Sequence, residues 1–144
     1  MRYMIIFAVV LAIALLWPRL APTDPMNWHV MPRADGVGDV SRMGGFTAAR
    51  QITTTSEGIL QAIDRIALAT PRTARVAGSV EEGMITYQTR SRIFGFPDYT
   101  TVAVTDDPLL IIDARLRFGK GDMGVNKARV TDWLSQLGPL IVAP

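Results

Sequence analysis

The chain predicts an α+β domain: a four-stranded, mostly antiparallel sheet with two helices packed on one face, preceded by an N-terminal membrane helix. Three observations point there. An unbroken apolar run occupies Met4 to Trp17. Two segments, Thr53 to Thr70 and Asn126 to Leu137, repeat apolar residues at helical spacing. Between them lie four short stretches that alternate, or run apolar, in the manner of sequential strands. Three regions follow: an anchor or signal segment over 1–21, a Pro/Gly-rich linker over 22–46, and the α+β domain over 47–144.

The apolar run comes first. Arg2 precedes it, and Pro18 and Arg19 follow. As a helix, residues 3–21 would reach about 28 Å, close to the roughly 30 Å hydrocarbon core, with Arg2 and Arg19 extending to the headgroups. Trp17 would sit at the interface. A cleaved signal peptide is the competing reading. Cutting after Ala21 would leave Arg19 three residues before the bond and Pro22 just beyond it, so an uncleaved anchor is preferred. Arg2 and the free amine place the N-terminus in the cytoplasm, although Arg19 opposes that orientation. The expectation is a single-pass bacterial inner-membrane protein with its domain facing the periplasm.

Pro18 to Gly45 shows neither the helical nor the strand period and reads as an extended arm. Met26, His29 and Met31 lie in it, with the only histidine of the chain. Met and His suit a soft metal such as Cu(I), but spaced ligands on an arm make a poor site. A Trp28–His29 pair beside a membrane is the plainer reading, and neither metal nor cofactor is expected.

In the first helix, Ile59, Ile63, Ile66 and Ala67 form the apolar stripe, Thr54 to Ser56 offer caps, and Pro71 ends it. The strands are Ala74 to Ser79, Met84 to Ser91, Tyr99 to Thr105 and Leu109 to Phe118. In the second, Ile85, Tyr87 and Thr89 oppose Thr86, Gln88 and Arg90. In the fourth, Asp113, Arg115 and Arg117 oppose Ala114, Leu116 and Phe118. Phe94 and Phe96, in the loop between the second and third strands, should pack back over a sheet end; a lipid-inserting or ligand-capping loop is the alternative. The last helix opens at Asn126 as N-cap, carries Val130, Trp133, Leu134 and Leu137 on one stripe, and stops at Gly138-Pro139.

Charge narrows the function. From Ala34 onward there are 12 basic and 12 acidic residues, so the domain carries no global field for a nucleic acid. The absence of cysteine removes disulfides, thiol nucleophiles and cysteine metal sites.

Arg90-Ser91-Arg92-Ile93-Phe94-Gly95-Phe96-Pro97-Asp98 forms one polar motif. Arg117-Phe118-Gly119, Asp122, Gly124, Asn126 and Arg129 form another. Together they resemble the bacterial family known as domain of unknown function 1499, over roughly residues 47–137. Where that family often has a serine-rich run, this chain reads Asp113-Ala114-Arg115-Leu116. The resemblance implies kinship and no established activity.

The candidate site is therefore Arg90, Arg92, Asp98, Arg115, Arg117, Asp122, Asn126 and Arg129, with Asp113 beside them. Arg90 with Arg92, and Arg115 with Arg117, stand two apart and would form same-face basic pairs. An Arg–Asp brace pinning the two motifs together is the preferred reading. The other is an anion pocket in which arginine forks and helix-start amides hold a phosphate or carboxylate. The function these residues predict is a membrane-anchored, non-enzymatic domain holding an envelope protein partner or an anionic ligand. The alternative is a hydrolase using Asp98, Asp113 or Asp122, against which a neighbouring arginine would lower a carboxylate pKa and spoil the acid.

Overall fold

A computed structural model describes all 144 residues. The family of elements is the predicted one, but the sheet has six strands instead of four: β1 (Gly38–Arg42), β2 (Gly45–Gln51), β3 (Thr73–Ser79), β4 (Met84–Arg90), β5 (Pro97–Val104) and β6 (Leu109–Leu116). The helices are α1 (Arg2–Leu20), α2 (Ser56–Ala69) and α3 (Val125–Leu137). The strands lie in the order β1-β2-β6-β5-β4-β3, every neighbour antiparallel.

The two additional strands correct the linker assignment, because β1 and the start of β2 fall within residues 22–46. Gly45-Phe-Thr-Ala-Ala-Arg-Gln51 has little intrinsic strand preference. It is a strand because it is inserted between β1 and β6, with Phe46 to Arg50 buried. Context, not propensity, makes this hairpin.

Chain direction explains the layers. After β2, helix α2 crosses the sheet to the far edge, where β3 begins a meander that returns through β4 and β5 to place β6 beside β2. Thr55 caps α2 by accepting a hydrogen bond from Gly58 N–H at 3.0 Å. The stripe of α2 (Ile59, Leu60, Ile63, Ala67) and that of α3 (Val130, Trp133, Leu134, Leu137) meet Phe46, Ile85, Tyr87, Val102, Leu110 and Ile112 in one core. Trp133 is fully buried, as its stripe predicts.

The sheet's other face is covered in part by residues 18–32. Trp28 stacks on Tyr99 with centroids 4.4 Å apart. His29 Nδ1 lies 2.9 Å from Thr86 Oγ1. Gly78 makes room for this ring: a Cβ there would fall 2.6 Å from His29 Cε1 and 2.1 Å from the Met84 carbonyl oxygen, and its φ is +77°. The arm is thus a docked strap, and His29 bonds to the sheet.

Helix α1 is long and apolar enough to cross a membrane, as an anchor or as a signal segment. Of its residues, Pro18 alone is buried. The aromatic loop behaves as expected only in part. Phe96 packs against Phe118 at 6.2 Å, while Phe94 stays half exposed. With Ile93 it leaves an apolar tip in solvent.

Candidate functional site

The sheet separates the residues that the sequence gathered into one cluster. Strand alternation sends Arg90, Asp113, Arg115 and Arg117 to the strap side and Asp98 to the helix side. β4 and β6 flank β5, so Arg90 and Arg117 are not on neighbouring strands. Arg92 lies beyond the end of β4, so the expected Arg90–Arg92 strand pair does not form.

On the strap side the arginines clamp backbone carbonyls. Arg117 donates to Ala21 O at 3.3 Å, to Pro22 O at 2.9 Å and to Thr23 Oγ1. Arg115 donates to Trp28 O at 2.6 Å and Thr101 Oγ1 at 2.7 Å, its guanidinium 5.4 Å from the Trp28 ring. Arg90 donates to Arg19 O at 3.2 Å and Gly95 O at 2.9 Å. Asp113 accepts from Arg42 and from Thr47 Oγ1, and its Oδ2 is 3.2 Å from Arg115 Nε. Burial lowers the Arg115 pKa, and Asp113 acts in the opposite sense. On this face Arg90, Arg115 and Arg117 fasten the strap that leads from α1, and the Arg–Asp link between the two motifs is made on the other face, by Arg129 and Asp98.

On the helix side, Asp98 and Arg129 form a buried pair at 3.4 Å, and Arg129 also donates to Asn126 Oδ1 at 2.8 Å. Burial pushes the Asp98 carboxyl above its ordinary range even though Arg129 pulls it down. Burial likewise lowers Arg129. Asn126 Nδ2 has no partner. Asn126 is not the N-cap that its position suggested. It is the second residue of α3, fully buried. Asp122 performs the capping, accepting from Gly124 N–H at 3.1 Å and Asn126 N–H at 2.8 Å. Burial alone would raise the Asp122 pKa, but the amide bonds from Asn126 and Gly124 outweigh it and hold the carboxyl below its ordinary range.

Three members of the cluster meet again at the end of the β3–β4 edge. A pocket of about 350 Å³ is lined by Arg72, Arg90, Arg92 and Arg129, with Thr70, Thr89, Ser91 and Val125 among the rest. Its one acidic lining residue, Asp132, is exposed. Arg72, Arg90 and Arg92 have no carboxylate partner. Arg72 was not among the sequence candidates. Its backbone is left-handed, φ 59°, which is costly for a non-glycine residue. The position is held from two sides: Arg90 N–H donates to Arg72 O at 3.0 Å, and Arg72 Nε donates to Arg90 O at 3.1 Å. The Pro71-Arg72 junction carried no periodic signal that could have revealed it.

A larger hollow of about 540 Å³ lies between residues 33–37 and β1. It mixes Arg33 and Arg42 with Asp35 and Asp39, so it has no excess of one charge.

The family model described as "Protein of unknown function (DUF1499)" matches residues 29–137. The chain belongs to that family. The DUF1499 match begins at His29, the strap residue that bonds to Thr86, and so includes the β1–β2 hairpin. It also spans every lining residue of the arginine pocket. A search of the curated proteins finds no match to this DUF1499 chain.

Proposed function

We propose that α1 anchors the protein in the bacterial inner membrane, that the domain faces the periplasm, and that it binds an anionic group without catalysing a reaction. The observation that carries the binding reading is the pocket lined by Arg72, Arg90, Arg92 and Arg129: Arg129 is paired with Asp98 and Arg90 is held by carbonyls of the strap side, but Arg72 and Arg92 have no carboxylate partner. Arginine forks suit the oxygens of a phosphate or carboxylate. An anion entering this pocket would relieve repulsion among the guanidinium groups gathered at it.

The hydrolase reading has less support. Each carboxylate it would use is engaged: Asp98 by Arg129, Asp113 by Arg42 and Thr47, Asp122 by two backbone amides. None of the three lines the arginine pocket.

Thermal unfolding of the full chain in neutral detergent tests the binding reading. Inorganic phosphate should raise the Tm of the wild type relative to chloride at equal ionic strength, because a ligand of the native state adds RT ln(1 + [L]/Kd) to its stability. Arg92 is exposed and has no hydrogen-bond partner within the protein, so Arg92→Ala should fold normally and show a smaller phosphate-dependent rise. Equal rises in both proteins, or none in either, would overturn the pocket as the binding site.

A further inference from the structure

We propose that the end of the domain nearest α1 docks onto the bilayer surface, placing the tips of three loops in the headgroup region of anionic phospholipids. The proposal rests on reading α1 as a retained membrane anchor.

Beyond residues 1–20, the most exposed large apolar side chains are Met123 at 100%, Met43 at 82% and Ile93 at 77%. The three are far apart in sequence, yet all lie at one end of the sheet. Met43 is in the β1–β2 turn, Ile93 in the β4–β5 loop and Met123 in the β6–α3 loop. Phe94 adds a half-exposed ring beside Ile93. The register places these loops together, since Arg90 pairs with Pro97, Asp98 with Leu116, and Gly45 with Arg115.

The loops also touch. A Cβ at Gly44 would lie 3.2 Å from the Leu116 side chain and 3.7 Å from Lys120 O. Phe96 joins the β4–β5 loop to Phe118 on the β6 side. Exposed apolar groups gathered at one end of a fold point to an interaction surface.

The chain itself indicates the occupant. Helix α1 ends at the same end of the sheet. Arg90 holds Arg19 O, Arg117 holds Ala21 O and Pro22 O, and a Cβ at Gly95 would lie 2.8 Å from Arg19 Nε. Trp17, exposed one turn earlier, suits the interface. An anchored α1 therefore brings these loops to the level of the headgroups.

Charge agrees with that placement. Arg92 and Lys120 are exposed at this end; of the acids nearby, Asp122 is occupied in capping α3, while Asp24 and Asp132 are exposed. The opposite end carries Glu81-Glu82 and Asp106-Asp107 in its two turns. Anionic lipid attracts the first end and repels the second. The arginine pocket, lined by Ser91 and Arg92 of the docking loop, would then open beside lipid phosphates.

The absence of native cysteine makes a depth measurement direct. Single-site variants Met43→Cys, Ile93→Cys, Met123→Cys, Glu81→Cys, Asp106→Cys and Val9→Cys of the full chain would each carry a fluorescent label. They would be reconstituted into phosphatidylcholine vesicles with phosphatidylglycerol. Labels at 43, 93 and 123 should lose most of their emission to brominated lipid and little to aqueous iodide. Labels at 81 and 106 should show the reverse, and the label at 9 should respond to brominated lipid alone. If 43, 93 and 123 respond to iodide as 81 does while 9 remains in lipid, docking is wrong, the anchor stands, and the patch is left for a protein partner. If 9 also responds to iodide, the anchor reading fails and the docking proposal falls with it.

Discussion

Trp133→Ala should destabilise the domain by about 3 to 5 kcal/mol, the usual range for emptying a buried aromatic site. The indole is fully buried where α2, α3 and the sheet meet. It packs edge-on to Tyr87, with centroids 5.7 Å apart and planes at 82°. Its Nε1–H donates to Thr70 Oγ1 at 2.8 Å, and Thr70 in turn donates to Ile66 O at the end of α2. Truncation therefore leaves a cavity and removes the donor that ties α3 to the end of α2. Against a total stability of about 5 to 15 kcal/mol, the loss would leave many molecules unfolded at moderate denaturant. Chemical denaturation measures it, and Trp133→Phe should lose less because most of the volume remains. A loss under about 1 kcal/mol for the alanine variant would mean that α3 does not pack as described.

Arg129→Ala should cost about 3 kcal/mol or more at neutral pH. Arg129 and Asp98 each have side chains 9% exposed, and no other cation pairs with Asp98. Without Arg129 the carboxylate would be buried and uncompensated. Its folded-state pKa, already raised by burial, would rise further. A raised folded pKa means that the native state holds this proton more tightly than the unfolded chain. The associated stability is present at low pH and lost as pH rises through the folded value. The penalty of Arg129→Ala should therefore shrink on acidification, and adding Asp98→Asn should recover part of it at neutral pH. Denaturation at neutral and mildly acidic pH checks this; a penalty that does not change with pH would place the cost elsewhere than in Asp98.

Much of this architecture was legible in the sequence. Ile59, Ile63 and Ala67, and Val130, Trp133 and Leu137, recur at helical spacing because each helix buries a single stripe. The last four strands were legible for a similar reason: alternation along β4 and β6 separates residues facing the core from those facing the strap. The β1–β2 hairpin was not, because its glycines and alanines have little strand preference and its pairing partner, β6, lies far along the chain, Gly45 pairing with Arg115. The α3 cap was misplaced by local reasoning. Asn126 and Asp122 are both good capping residues, and only the turn through Met123 and Gly124, both at positive φ, decides between them.

Among the candidate site residues, alternation showed which side chains share a face but not what covers that face. Arg115 and Arg117 do point the same way, and the strap lies on top of them. Asp98 belongs to the same sequence motif as Arg90 but alternates to the helix side, where α3 supplies Arg129. The pocket combines residues from α3, from the β4–β5 loop and from the α2–β3 junction, a combination that only tertiary packing produces.

We propose that Arg72, Arg92 and Arg129, with Arg90 beside them, form an anion site at this pocket. Crystals of the protein soaked in tungstate, an oxyanion with a strong anomalous signal, test it most directly. The account predicts an anomalous peak within hydrogen-bonding reach of at least two of these guanidinium groups, lost in crystals of Arg92→Ala. A pocket without a peak, in crystals where tungstate is ordered elsewhere, would contradict it.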